Sequence, residues 1–138
     1  PHDPRGRGAL PAYPPRDALL VSGPPGSGAG VCVEAEGDRL VDLSKQRARL
    51  GPSVLGEFVG ITRVSAALAE RLRAVAAALV PREPQADYER ALVGAARVQP
   101  ISLCLVPDLA WSEVDDEGQL LRARVEVYPR VRQRDAGP

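Results

Sequence analysis

Three short apolar runs crowd into the early part of this chain, at residues 17–22, 31–35 and 39–43, and only Glu36-Gly37-Asp38 separates the last two. Each run has the length and residue types of a strand, and the separating residues are turn formers. Strands in such close succession predict an antiparallel excursion. The first run, built on Ala18-Leu19-Leu20-Val21, ends at a glycine-rich stretch, Gly23 to Gly30. That stretch has the outline of a phosphate-binding P-loop, but Ala29 stands where the lysine is needed and Gly30 where the Mg²⁺-binding hydroxyl is needed. A strand-like run follows it rather than a helix, so no helix N-terminus is available to a phosphate, and the stretch reads as a hairpin loop.

Further along, residues 57–64 give another strand. Ser65 is placed to cap a helix in which Leu68, Leu72, Val75 and Leu79 recur at three- and four-residue spacing, until Pro81 stops the pattern. A second helix is expected over residues 87–97, a strand over 101–106, and a last helix that turns Leu121, Val125 and Tyr128 inward. Strands alternating with helices point to an α/β layer architecture. Residues 1–16 read as an irregular segment or domain fragment, 17–130 as the folded domain and 131–138 as a tail.

The chain has 138 residues, enough for one domain with a core, and its 18 basic and 18 acidic residues balance. No electrostatic footprint for nucleic acid or an anionic membrane is present. No apolar run is long enough to span a bilayer, and the N-terminus lacks the apolar centre of a signal peptide, so the cytoplasm is the expected compartment. Cys32 and Cys104 sit in apolar runs far apart, which suits buried free thiols. His2 is the lone histidine and has no neighbour that would make it a base or a ligand.

Four places could carry chemistry. Lys45 is the one lysine of the chain, on a segment leaving a strand; it is either a solvated surface residue or a functional cation. Glu57 enters an otherwise apolar strand and could face solvent or point into a cleft, while Gly60 would let a ligand or another backbone approach closely. The acidic cluster of Glu113, Asp115, Asp116 and Glu117 follows Trp111. Within it, Asp116 and Gln119 have capping-box spacing, whereas Glu113 and Asp115, two apart on an extended segment, face the same side and suit shared coordination of one cation.

Gly56-Glu57-Phe58-Val59-Gly60-Ile61-Thr62-Arg63-Val64-Ser65, then an amphipathic helix, then Asp87-Tyr88-Glu89-Arg90-Ala91-Leu92, then a strand and Trp111-Ser112-Glu113-Val114-Asp115-Asp116-Glu117-Gly118-Gln119-Leu120 form a familiar order. It resembles nucleotidyltransferases of the MobA-like and sugar-nucleotide type, most of all the phosphocholine and phosphonate cytidylyltransferases. The resemblance runs from about Ala18 onward and implies the C-terminal, acceptor-side part of a doubly wound, Rossmann-like α/β fold. It further implies transfer of a nucleoside monophosphate from a triphosphate, CTP above all, to a small phosphate or phosphonate acceptor, with release of pyrophosphate. On that resemblance Glu113 and Asp115 help bind Mg²⁺, Lys45 approaches the acceptor or α-phosphate, and Glu57, Gly60 and Trp111 lie beside the acceptor. The family's opening loop, G-x-G-[ST]-R-x(4)-P-K, is not in this sequence, nor is the aspartate of its first half. The expectation is therefore a portion of a longer enzyme, inactive in isolation; the alternative is a noncatalytic binding or regulatory module derived from the same fold.

Overall fold

A computed structural model describes residues 16–23 and 30–136, so His2, nearly all of residues 1–16 and the interior of the glycine-rich stretch lie outside the described residues. The described chain divides into two compact units between Pro107 and Asp108.

In the first unit the strands are β1 (Ala18–Ser22), β2 (Val31–Glu36), β3 (Arg39–Ser44), β4 (Val54–Arg63) and β5 (Ser102–Val106). A short 3-10 turn (Arg47–Arg49) links β3 to β4, and helices α1 (Ala66–Leu79) and α2 (Tyr88–Ala96) lie between β4 and β5. The antiparallel excursion is borne out: Glu36 pairs with Arg39 across a two-residue turn, and β2 is antiparallel to both β3 and β4.

The doubly wound sheet is not. The five strands close into a barrel in the order β1-β4-β2-β3-β5, which corrects the Rossmann-like expectation. Its cause is connectivity. A doubly wound sheet needs a helix between successive parallel strands, placed on alternate faces. Here β2, β3 and β4 follow one another through short links and pair antiparallel, and β1 and β5 form the parallel pair. Both helices fall in a single connection and pack against each other, with α2 also lying on β3. Closure between β3 and β5 is narrow, at Arg39 opposite Ser102, supported by Leu40 N–H donating to the Ile101 carbonyl at 2.9 Å.

The core explains why these segments fold as they do. Leu19 and Val21 of β1, Val33 of β2 and Phe58 of β4 meet Leu68 of α1 and Leu92 and Val93 of α2 in one cluster. All five residues of β1 are buried, as befits a strand flanked on both sides. Ser65 caps α1 by accepting the Leu68 amide hydrogen at 3.2 Å, as its position predicts. The thiols are free, Cys32 buried and Cys104 half-buried.

From Asp108 the second unit holds one continuous helical run: α3 (Glu117–Arg122), a π-helical stretch (Ala123–Val127) and α4 (Tyr128–Asp135). The wide turn sits directly before Pro129, which cannot donate to the helix and crowds the carbonyl four residues back, so widening the helix there relieves the clash. The expected inward stripe is overturned, because Leu121, Val125 and Tyr128 are 63%, 64% and 59% exposed. Among the described residues of this unit no second helix or strand is present to receive an apolar face. No helix among the described residues is long and apolar enough to cross a membrane.

Candidate functional site

A cleft of about 450 Å³ opens in the barrel unit, within the size range of small-molecule sites. Its cations are Lys45, Arg49 and Arg90, brought together from the end of β3, the 3-10 turn and the first turn of α2. Val31 and Leu43 supply apolar lining, and Asp42, Asp87 and Glu89 supply carboxylates.

Local hydrogen bonding shapes the cleft around Lys45 and Arg49. Ser44 Oγ accepts the Gln46 amide hydrogen at 3.0 Å and donates to the Gln46 carbonyl at 3.1 Å, bending the chain around exposed Lys45. Arg47 then donates to the Gly51 carbonyl at 3.0 Å, and the Arg49 amide donates to the Gln46 carbonyl at 2.9 Å. The loop is thereby held as a turn that carries Lys45 and Arg49 to one cleft.

The acids that line the cleft beside these cations are partly committed. Asp42 accepts the Leu43 amide hydrogen at 2.8 Å. Asp87 stands at the N-cap of α2 and Glu89 in its first turn, where negative charge is favoured by the helix dipole. One Glu89 carboxylate oxygen, Oε2, is buried with no hydrogen-bond partner among the described residues. Arg90 Nη2 reaches Glu83 at 3.3 and 3.4 Å, in an exposed pair.

The sequence candidates separate. Lys45 lines the cleft. Glu57 is buried on β4 opposite Cys32 and is not among the described residues that line the cleft. A side chain at Gly30 would meet the Glu57 carboxyl carbon at 2.9 Å, so a glycine there leaves the carboxylate its room. The Cys32 thiol is pushed up from its ordinary value first by burial and then by the Glu57 charge, against a smaller opposing pull from Arg47. Gly60 is exposed with a φ of +82°, so its glycine meets a backbone requirement, and no described atom crowds it.

Trp111, Glu113 and Asp115 belong to the second unit, whereas the cleft lies wholly in the first. Glu113 and Asp115 are both exposed. The N-cap is borne out: Asp116 accepts the Gln119 amide hydrogen at 2.7 Å, while the Gln119 side chain accepts the amide hydrogen of Asp115, one residue before the cap, rather than that of Asp116 as a full capping box would. Among the described residues no three potential metal ligands gather. Two carboxylates nonetheless match what Mg²⁺ asks of a protein, since that ion keeps several waters and completes its shell with substrate phosphates.

Arg49, Arg90, Asp42 and Glu89 were not singled out as cleft residues by pattern. The alternation Lys45-Gln46-Arg47-Ala48-Arg49 after a strand was the available signal for one of them. Nothing local links these to Arg90, which only the docking of α2 on β3 brings near. No family model matches the chain.

Proposed function

We propose that this chain binds a small phosphorylated or phosphonate molecule in the barrel cleft, as the acceptor-binding portion of a Mg²⁺-dependent nucleotidyltransferase that uses CTP. The observation that carries the reading is the presence of Lys45, Arg49 and Arg90 in one cleft of suitable size. The order of the Gly56-to-Ser65, Asp87-to-Leu92 and Trp111-to-Leu120 segments supports the transferase class. In the reaction an acceptor oxygen attacks the α-phosphorus of CTP, a new oxygen–phosphorus bond forms, and the bond to the bridging oxygen breaks so that pyrophosphate leaves with the electron pair. Lys45 is the cation that holds the acceptor phosphate in place for that attack, and Arg49 adds a second fixed positive group. When bound, Mg²⁺ would neutralise phosphate oxygens, with Glu113 and Asp115 as its carboxylate ligands.

The test is acceptor binding to the full chain by calorimetry, with phosphocholine and a phosphonate as ligands. Lys45→Ala weakens binding by about tenfold, the loss expected for one charge-assisted hydrogen bond; no binding of any phosphate or phosphonate by the unaltered chain defeats the proposal.

A noncatalytic binding module is the second reading, favoured by the hydrogen bonds that employ Asp116 and the Asp115 amide in starting a helix. Replacing Glu113 and Asp115 by alanine within a complete enzyme carrying this sequence separates the two. Unchanged turnover would remove the metal role and leave the binding module.

A further inference from the structure

The ion pair between Arg90 and Glu83 has no role in the reading above, yet one of its partners lines the cleft and the other does not. Glu83 sits in the connection after α1, its amide anchored to the Leu79 carbonyl at 2.9 Å, whereas Arg90 rides on the first turn of α2. The pair therefore spans the link between the two helices. Its geometry is loose: both contacts use Nη2, at 3.3 and 3.4 Å, and the side chains are 54% and 47% exposed. Exposed pairs of this kind contribute little, so releasing Arg90 costs little. Arginine also has donors that Nη2 does not use, and its planar fork matches phosphate and phosphonate oxygens better than a lysine does.

We propose that Arg90 is a further anion-binding arm of the cleft, in addition to Lys45 and Arg49, and that Glu83 is a latch which holds its charge until a phosphate or phosphonate group competes for it. Lys45 meets the ligand as a point charge, and Arg90 closes on the same group with two parallel hydrogen bonds once it leaves Glu83. Because the pair is weak it competes only mildly, and a dianionic group gains more from the freed guanidinium than a singly charged carboxylate does. Arg90 thus favours doubly charged phosphate or phosphonate over a carboxylate ligand. This rests on the cleft being the acceptor's anion site.

The experiment is a titration of the full chain with inorganic phosphate, and separately with acetate, followed by amide NMR at low ionic strength and pH 8, where phosphate is mainly dianionic. Arg90→Gln, Glu83→Gln and Lys45→Ala are compared with the unaltered chain; the first two positions are exposed, so their variants retain the fold. Expected are phosphate affinity at least fivefold weaker in Arg90→Gln and about two- to fivefold tighter in Glu83→Gln, with acetate weaker than phosphate in the unaltered chain. Unchanged phosphate affinity in Arg90→Gln with a loss in Lys45→Ala overturns the role of Arg90 and leaves the cleft standing. Unchanged or weaker affinity in Glu83→Gln overturns the latch. If neither Arg90→Gln nor Lys45→Ala alters phosphate affinity, the cleft itself is not the anion site and both readings fall.

Discussion

Asp17 shows how much one carboxylate can organise. It accepts the Ser65 amide hydrogen at 2.7 Å, the Ser65 hydroxyl at 3.1 Å and the Gln99 side-chain amide at 2.8 Å, joining the start of β1 to the cap of α1 and to the segment before β5. Partial burial alone would push its carboxyl up from the ordinary value of 3.8, but the Ser65 and Gln99 hydrogen bonds and the Arg16 charge outweigh burial and hold it below that value. The sign of the pH dependence follows. A depressed folded-state value means that the contribution is complete above the unfolded value and lost as pH falls through the lower, folded one. Asp17→Ala is expected to cost about 1–3 kcal/mol at neutral pH. Its stability deficit shrinks in acid, which denaturant melts at pH 7 and pH 3 will reveal. Because Ser65 shares the network, Asp17→Ala combined with Ser65→Ala costs less than the two single changes added, a non-additivity that a double-mutant cycle reads directly.

Among the elements, β4 is held closely against β1. A side chain at Gly56 would collide with the Ser22 backbone carbonyl of the neighbouring strand β1, an atom that cannot swing aside. Gly56→Ala is therefore expected to destabilise at the upper end of about 1–3 kcal/mol or beyond it, measured as a fall in denaturation midpoint without loss of slope. The capped start of α3 is a gentler case. Asp116→Ala removes the acceptor of the Gln119 amide and is expected to fray residues 117–120, seen as lost amide protection, with about 0.5–2 kcal/mol lost from that helix. Circular dichroism of the same variant should leave the barrel signal in place, since the cap belongs to the second unit.

For the whole molecule, burial divides the chain unequally. The barrel unit contains Leu19, Val21, Val33, Leu68 and Ile101 with almost no exposure, whereas none of the helical residues 117–135 is buried. Leu19→Ala is expected to cost about 2–5 kcal/mol and Leu121→Ala less than about 0.5 kcal/mol, read from chemical denaturation of the full chain. Hydrogen exchange should follow the same division, with β1 amides exchanging last and those of residues 117–135 early. Protection of the helix equal to that of β1 would show that its apolar face is covered.

Local chemistry was enough to read several features from the sequence. The strand runs of β1, β2, β3 and β5, the capped helix after Ser65, the stop before Pro81 and the Asp116 N-cap all depend on neighbours within a few residues, where periodicity, side-chain capping and proline's missing N–H decide the outcome. Lys45 could be picked out because it stands alone. The short links between β2, β3 and β4 already spoke against a doubly wound sheet, but what closes β5 against β1 and β3 into a barrel is pairing between segments some 60 to 85 residues apart. The company of Lys45 was decided in the same way: Arg90 reaches the cleft because α2 packs on β3, and no spacing along the chain records that contact. The inward turn expected of Leu121, Val125 and Tyr128 failed for the complementary reason. Periodicity identifies an apolar face, but only a packed neighbour can bury it, and the described residues of the second unit contain none.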